Sequence, residues 1–290
     1  MSVTERSYNL EDSLSRLLRT ALGAGLLSSL FAVPALAQAP AANTGAIKVT
    51  AGVDFPSVYY FRGIRQETDS QITTQPYGDV GITLRSADSG LKTVAVNFGV
   101  WNSLHTGTSG SDGFKPIHYE EDFYSTFTLG FSQAAASVKY IAYTSPNLSY
   151  QTVKEVDFQV TGTQKFAPYA LVAAELGDAS ADGFSNKGTY LELGAGPNWS
   201  LGTCTLTVPV SVGLSLKDYY ETPNGDEKFG FFDVGGLITV PLGGVPARFG
   251  SWNVHVRGDY LRLGNGPVQY AGTGGKKNQG VVSAGIGLSY

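Results

Sequence analysis

The sequence predicts an all-β protein: a closed antiparallel transmembrane β-barrel of about twelve strands, with short periplasmic turns and long external loops. Three observations predict it, namely residue alternation, alternating connection lengths and aromatic residues at strand ends. Apolar and polar residues that alternate with a period of two mark a strand with one apolar face. The segments with this pattern are 47–61, 75–85, 91–102, 118–131, 135–144, 152–162, 165–176, 188–199, 204–216, 228–240, 250–262 and 280–290.

The segment 204–216 shows the alternation most clearly. Its aliphatic residues from Leu206 to Leu216 fall at every second position, and the positions between them are mostly Thr, Ser and Gly. In hydrocarbon, each unpaired backbone N–H or C=O group costs several kcal/mol, so a sheet that crosses a membrane must close on itself. The alternative of a secreted β-sandwich predicts more charge on the solvent face than these segments carry.

The connections between the segments are alternately long and short. In chain order they run 13, 5, 15, 3, 7, 2, 11, 4, 11, 9 and 17 residues. Outer-membrane barrels have short periplasmic turns and longer external loops, and an even number of strands keeps both termini on the periplasmic side.

Aromatic residues on the apolar faces form two predicted girdles at the membrane interfaces. The periplasmic girdle comprises Phe131, Phe166, Trp199, Trp252 and Tyr290, and the external girdle comprises Phe61, Tyr119 and Tyr260. The last strand ends on the outward aromatic Tyr290. This ending resembles the C-terminal strand that the barrel-assembly machinery of bacterial outer membranes recognises. It therefore predicts that machinery as a partner.

The composition fits a membrane protein rather than a nucleic-acid-binding or disordered one. Charged residues are 15%, the net charge is −4, and 37 residues are Gly. Arg16 and Arg19 precede the apolar run 21–33, and an A-x-A site ends at Ala37. We therefore expect a secretory signal peptide over 1–37, a periplasmic lead over 38–46 and an outer-membrane barrel over 47–290. The single Cys204 excludes an intramolecular disulfide.

The segment from Tyr59 to Gln66 reads Y-Y-F-R-G-I-R-Q. It resembles the Y-x-F-R-G-x-S-Q signature of the TorF family of proteobacterial outer-membrane porins, with Arg65 in place of the family's Ser. The segments 121–124 (EDFY) and 190–192 (YLE) are similar to strands of the same family. The resemblance implies an outer-membrane barrel assigned as a porin by analogy, and it brings no ligand or catalytic residue.

Strand parity assigns the side chains that face the lumen, and this face is net acidic. The candidate pore-lining residues are Asp79, Glu120, Asp122, Glu155, Asp157, Glu175, Glu192, Asp233, Asp259, Lys139, His255 and Arg257. Rings of carboxylates favour cations in a pore. Arg62 and Arg65 are expected at the external mouth, where they either form a constriction or pair with carboxylates to fix the first loop. We also expect Asp157 or Glu155 to pair with Lys139, and Asp259 with Arg257.

These features predict passive passage of small hydrophilic solutes, with a preference for cations. A non-conducting structural or surface-interaction barrel is the alternative, because a barrel of twelve strands lies between packed and open barrels in width. A lipid hydrolase ranks third: Ser251, Asn253 and His255 share a strand face, but that face points to the lumen. No metal-binding or phosphate-binding motif occurs. We therefore expect a protein that is not an enzyme and that has no catalytic residue, metal or cofactor. The expected partners are outer-membrane lipid and solutes, without nucleic acid.

Overall fold

The computed structural model describes residues 45–109, 117–270 and 274–290. The predicted signal peptide and most of the predicted lead lie outside the described residues. The strands are β1 (Ile47–Pro56), β2 (Tyr60–Phe61), β3 (Ile64–Arg65), β4 (Glu67–Asp69), β5 (Thr73–Ser86), β6 (Thr93–His105), β7 (Thr108–Ser109), β8 (His118–Gly130), β9 (Ala134–Thr144), β10 (Val153–Gly162), β11 (Tyr169–Leu176), β12 (Thr189–Ala195), β13 (Asn198–Leu201), β14 (Cys204–Thr207), β15 (Val210–Lys217), β16 (Glu221–Thr222), β17 (Gly225–Asp226), β18 (Phe229–Pro241), β19 (Ser251–Leu263) and β20 (Asn278–Ser289). A 3₁₀ helix spans Ala247–Phe249 and a helix, α1, spans Asn265–Tyr270.

Fourteen strand segments form one antiparallel sheet that closes where β20 pairs with β1. The segments β12 and β13 are one wall strand interrupted at Pro197, and β14 and β15 are one interrupted at Pro209. Proline cannot donate to a strand ladder, which accounts for both interruptions. Over the described part of the chain, the wall therefore has twelve strands, and the predicted closed antiparallel barrel is confirmed.

The outward face of the wall is apolar through its middle. Its exposed side chains include Val80, Phe98, Phe127, Val138, Phe158, Leu193, Ile238, Val254 and Val256. The alternate residues point inward and are polar, small or aromatic. An apolar exterior around a polar interior is the arrangement that a barrel needs in a membrane. We call the end with the long connections the external end and the opposite end the periplasmic end.

The first wall strand is shorter than the alternation predicted. It ends at Pro56 rather than at residue 61, and the chain then turns into the lumen. There β2 and β3 form a hairpin around Arg62 and Gly63, whose φ angles are +46° and +82°. Two successive positive φ angles are typical of a type I′ hairpin turn, and glycine supplies the second without a steric penalty. We call residues Tyr59–Gln66 the plug hairpin.

A β-bulge changes the direction of one predicted girdle residue. Along β6 and β8, Ser103 pairs with Glu120 but Leu104 pairs with His118, so the register shifts across Tyr119. A bulge places two successive side chains on nearly the same side of a strand. Both Tyr119 and Glu120 are buried inside the barrel as a result. The prediction of Tyr119 as an outward girdle residue is wrong for this reason.

The helix α1 covers the plug hairpin at the external end. It follows β19 within the predicted loop 263–279, and Val268 packs against the buried cluster that contains Tyr60 and Ile64. Over the described residues, no helix has the length and apolar character to span a membrane.

Candidate functional site

The plug hairpin is held in the lumen by two aromatic clusters. Tyr60 and Ile64 pack on one side of the lumen against Leu171, Ala173, Tyr190, Tyr219, Tyr220, Phe231, Leu261 and Leu263. Tyr59 and Phe61 pack on the other side against Tyr119, Tyr124, Ile141, Tyr143 and Val153. Phe61 is only 8% exposed, so its prediction as an outward girdle residue is wrong. The hairpin thus bridges opposite walls of the barrel.

Arg62, at the tip of the hairpin, lies inside the external end of the lumen, where it pairs with a carboxylate, one of the two roles predicted for it. It is 2% exposed, and its Nη1 atom donates a 2.9 Å hydrogen bond to Glu155 Oε1. Its Nη2 atom lies 3.9 Å from Asp157 Oδ1. Strand parity did not predict this path of the chain, because it assumed that the first strand continued through Phe61. Arg65, by contrast, is half-buried on β3 beside the base of the hairpin.

Three aromatic rings surround the Arg62 guanidinium. Its Cζ atom lies 4.3 Å from the ring centroid of Tyr190, 5.0 Å from that of Phe61 and 5.3 Å from that of Tyr219. Nη1 also donates a hydrogen bond to the hydroxyl of Tyr219, which in turn donates to Glu155 Oε1 at 3.2 Å. Burial raises the pKa of the Tyr219 phenol well above its ordinary value, so this hydroxyl stays protonated.

Glu67 fixes the entry of the hairpin. Its carboxylate is fully buried and accepts the backbone N–H of Tyr59 at 2.7 Å and the hydroxyl of Thr73 at 2.6 Å. The two bonds join the start of the hairpin to the start of β5. Burial raises the pKa of the Glu67 carboxyl, although both hydrogen bonds act in the opposite direction.

The predicted acidic residues of β8 and β10 lie around the hairpin. Asp157 pairs with Lys139 at 2.8 Å, one of the two pairings expected for that lysine, whereas Glu155 pairs with Arg62 instead. Glu120 and Asp122 are buried in the same region, and Asp122 Oδ1 has no hydrogen-bond partner among the described residues.

Two other predicted pore-lining carboxylates hold neighbouring parts of the chain. Glu175 accepts the backbone N–H groups of Ala181 and Gly188, both at 2.6 Å, and so anchors the external loop after β11. Glu192 accepts the hydroxyl of Tyr169 at 2.6 Å and that of Tyr190. Both carboxylates face the lumen, but Glu175 is bonded to the external loop and Glu192 to tyrosines of the wall.

The opposite wall carries the remaining predicted charges. Arg257 Nε donates 2.8 Å hydrogen bonds to both oxygens of Asp259, and its Nη2 lies 3.3 Å from Asp233 Oδ2. His255 Nε2 lies 2.6 Å from Asp54 Oδ1. Asp79 accepts a 2.6 Å hydrogen bond from Asn97.

The inward side chains near the periplasmic strand ends differ in exposure. Thr50, Thr83, Ala95, Thr128 and Thr161 are half-buried, whereas Thr126, Ser137, Gln159, Thr205 and Thr239 are buried. The first group shows that part of the inner face at this end is accessible to solvent. The external half differs, because the hairpin fills it. Between the hairpin and the wall at Gln75, Asp233 and Arg257 there is a cavity of about 40 Å³.

Most of the predicted girdle residues lie on the outer surface. Phe131, Phe166, Trp199, Tyr260 and Tyr290 are 39–62% exposed. Trp252 is half-buried, and its indole N–H donates a 2.9 Å hydrogen bond to the carbonyl of Phe249.

The histidines lie in hydrogen-bonded positions. His105 contacts Ser103 at 2.7 Å and Ser109 at 2.6 Å, but all three residues are fully buried. His255 contacts Asn253 at 3.0 Å in addition to Asp54. Over the described residues, no group of three His, Cys, Asp or Glu side chains is arranged to hold a metal ion.

Sequence reasoning missed the aromatic partners of Arg62. Tyr143 and Tyr219 were not singled out, and Tyr190 was named only within the segment 190–192, although Tyr143 and Tyr190 fall on predicted inward positions of β9 and β12. Tyrosines recur at the external ends of strands and in the 218–228 connection. This pattern could have predicted these residues, because adjacent aromatic residues in an external connection indicate burial.

The closed wall, the apolar exterior and the polar lumen define a membrane-spanning β-barrel of the outer-membrane class. No protein-family model matches the sequence, and a search of the curated proteins gives no match. Among solved structures, the chain is similar to the NanC porin, with 10% identity, a TM-score of 0.43, and coverage of 84% of this chain and 99% of that chain. It is similar to the outer membrane phospholipase A of Escherichia coli, with 9% identity, a TM-score of 0.43, and coverage of 82% and 92%. It is also similar to OmpF of Salmonella typhi in a complex with daunomycin, with 11% identity, a TM-score of 0.40, and coverage of 84% and 97%.

Proposed function

We propose that this barrel is an outer-membrane channel for small hydrophilic solutes, that it favours cations, and that the plug hairpin keeps its external half closed. The observation that supports this proposal is the group of small, half-buried side chains on the inner wall near the periplasmic strand ends, among them Thr50, Thr128 and Thr161. In a membrane protein, a polar lumen open to solvent is typical of a conducting path.

The charge of the lumen supports the preference for cations. Ten carboxylates face inward, namely Asp54, Asp79, Glu120, Asp122, Glu155, Asp157, Glu175, Glu192, Asp233 and Asp259. The basic side chains on the same face are Lys48, Arg62, Lys139 and Arg257. Negative lumen charge concentrates cations and repels anions.

The route past the hairpin is narrow in this conformation. A cavity of about 40 Å³ has room for about three water molecules. A hydrated solute therefore passes only when the hairpin leaves its position.

Planar-bilayer recording tests the proposal directly. The wild-type protein, purified from the outer membrane of the expression host, is compared with a variant in which residues 59–66 are replaced by a short Gly-Ser linker. We expect rare openings of the wild type and a steady current at least tenfold larger from the variant, with a reversal potential on the cation side of a salt gradient. Pro223→Gly, in the external β16–β17 turn, is the matched control and should behave as the wild type.

A disulfide can lock the closed conformation. A Cβ atom built on Gly63 lies 3.0 Å from the Cβ atom of Phe231, slightly closer than in most disulfides. Gly63→Cys with Phe231→Cys, in a Cys204→Ser background, should abolish wild-type openings when oxidised and restore them on reduction. Cys204 is the single cysteine of the native chain, so its replacement by Ser removes every competing thiol.

A non-conducting structural or surface-interaction barrel is the second candidate, and the filled external half of the lumen favours it. If the folded hairpin-replacement variant carries no current, this candidate replaces the channel. If that variant conducts with a preference for anions, the channel stands and the inferred role of the acidic lumen fails.

A further inference from the structure

The surroundings of Arg62 form a preorganised cage for a guanidinium group. The cage consists of Tyr143, Glu155, Asp157, Tyr190 and Tyr219, and we call it the guanidinium cage. All five residues belong to the wall or to the connection between β15 and β18, and none belongs to the plug hairpin. It offers a carboxylate at 2.9 Å, a second carboxylate oxygen at 3.9 Å and a ring face at 4.3 Å from the guanidinium carbon.

The cage is held together by contacts that do not involve Arg62. The hydroxyl of Tyr143 donates to Glu155 Oε2 at 3.0 Å, and that of Tyr219 donates to Glu155 Oε1 at 3.2 Å. The rings of Tyr190 and Tyr219 have their centroids 4.9 Å apart. Asp157 is positioned by Lys139 at 2.8 Å. These contacts position Glu155 and Asp157 independently of Arg62, although Tyr190 and Tyr219 also pack against Tyr60 of the hairpin.

Arg62 fills this cage incompletely. Its Nε and Nη2 atoms are buried without a hydrogen-bond partner, and so is Asp157 Oδ1. The backbone of Arg62 lies in the left-handed region, at φ +46°, where a residue with a side chain is strained. The short β2–β3 ladder pairs only with itself and has no ladder with the wall.

We infer that the guanidinium cage is a binding site for a small diffusible cation of the guanidinium class, and that Arg62 is a tethered occupant that competes with it. A planar cation recognises this combination because it donates to carboxylates in its own plane while its faces stack on aromatic rings. A free guanidinium carries no backbone strain and can turn to reach Asp157. The inference rests on the proposed channel and names its solute class: a guanidinium solute displaces Arg62, and the released hairpin opens the path.

Chemical rescue provides the test. Arg62→Gly removes the tethered cation and relaxes the positive φ angle, so the hairpin can still turn. Isothermal titration of the folded variant in detergent with methylguanidinium should show saturable binding that the wild type lacks at the same millimolar concentration. Urea, which has a similar planar shape but no charge, should give no binding. Arg62→Gly combined with Glu155→Gln should weaken the affinity at least tenfold.

The matched control is Arg62→Gly combined with Asp54→Asn, which removes a lumen carboxylate outside the cage and should leave the affinity unchanged. Equal binding of urea, equal affinity after loss of Glu155, or no binding to a folded Arg62→Gly protein would each overturn the inference. If Arg62→Gly does not fold, Arg62→Gln is titrated in its place with the same expectations.

Bilayer recording separates this inference from the channel itself. Methylguanidinium, at concentrations high enough to displace Arg62, should increase the current of the wild type at least fivefold, while an equal concentration of sodium chloride should not. A total absence of current in all variants would sink the proposed channel, and the titration alone would then decide whether the cage binds guanidinium.

Discussion

The Arg62–Glu155 pair at the tip of the plug hairpin has both side chains at 0% exposure, whereas the His255–Asp54 pair on the opposite wall has 16% and 9%. The same type of strand, with alternate residues facing inward, surrounds both pairs. The difference arises because a segment of the chain folds back into one half only. Aromatic side chains meet that segment in the external half, while Thr and Ala line the other.

This difference indicates that the external half of the lumen is closed by the plug hairpin and not by the wall strands alone. By its number of strands, a twelve-stranded wall lies between the eight-stranded barrels that side chains fill and the 16–18-stranded barrels that leave a channel. Closure of the lumen therefore depends on the plug hairpin. The following predictions test whether the two halves differ in the free energy of unfolding and in access to solvent as they do in packing.

The largest effect is expected from Glu155→Gln. Removing one partner of a buried ion pair leaves the other charge uncompensated, which costs about 3 kcal/mol. Asp54→Asn, at the partly exposed pair, should cost about 1 kcal/mol. Urea unfolding in detergent, followed by the shift of the folded band on gels, measures both. Equal losses would show that the two halves do not differ in this respect.

The next effect concerns access of water-soluble reagents. In a Cys204→Ser background, Thr128→Cys lies in the periplasmic half and Ala173→Cys lies beside the hairpin, where Ala173 is 0% exposed. We expect a charged maleimide to label the first at least a hundredfold faster, because only that half admits solvent. Similar rates for the two cysteines would contradict a plugged external half. Labelling of both should become fast when residues 59–66 are replaced.

A smaller effect follows from crowding at the hairpin. A Cβ atom at Gly213 would lie 2.3 Å from a ring atom of Phe231 and 2.7 Å from the hydroxyl of Tyr190. Gly213→Ala should therefore destabilise the protein by about 2 kcal/mol through overpacking. The matched control is Gly258→Ala, where the nearest atom, on Val282, is 4.0 Å away. Its change should stay within about 0.5 kcal/mol.

The smallest effect is expected outside the lumen, at the external pair of Asp226 and Lys228. Their charged atoms lie 2.6 Å apart, and the lysine side chain is 68% exposed. Partial burial raises the pKa of Asp226, but hydrogen bonds from Lys228 and Ser215 outweigh it, so the pKa lies below its ordinary value. A lowered pKa adds stability above the unfolded pKa, and this stability is lost as the pH falls through the folded pKa.

Asp226→Asn should therefore cost at most about 0.5 kcal/mol at pH 7 and nothing at a pH where the carboxyl is protonated. Unfolding at the two pH values measures the difference. A loss of stability at pH 7 as large as that from Glu155→Gln would contradict the distinction between exposed and buried pairs.

The sequence predicted the barrel itself with little error. In the segment that contains Val212 and Leu214, for example, the observed register with β12 follows the predicted alternation. Lipid on one side of a strand and polar groups on the other impose a period of two, and this constraint is local. The pairs of Asp157 with Lys139 and of Arg257 with Asp259 were also predictable, because adjacent strands and adjacent inward positions bring those residues together.

The plug could not be predicted in the same way. Tyr59, Phe61 and Arg62 continue the alternation of β1. The amino-acid sequence alone therefore does not show that the chain leaves the wall at Pro56. The inward turn of Tyr119 likewise depends on one extra residue in a ladder, which only the pairing with β6 reveals.

The sequence by itself thus determined the twelve-stranded wall, its lipid-facing surface and its acidic interior, since each follows from the period of two along single strands. Only the tertiary structure decided that the first external segment fills the lumen and that Arg62 is enclosed by Glu155 and Tyr190. Those contacts join residues far apart in the chain, and their free energy comes from burying aromatic rings and one ion pair together. No pattern along a single strand predicts contacts of this kind.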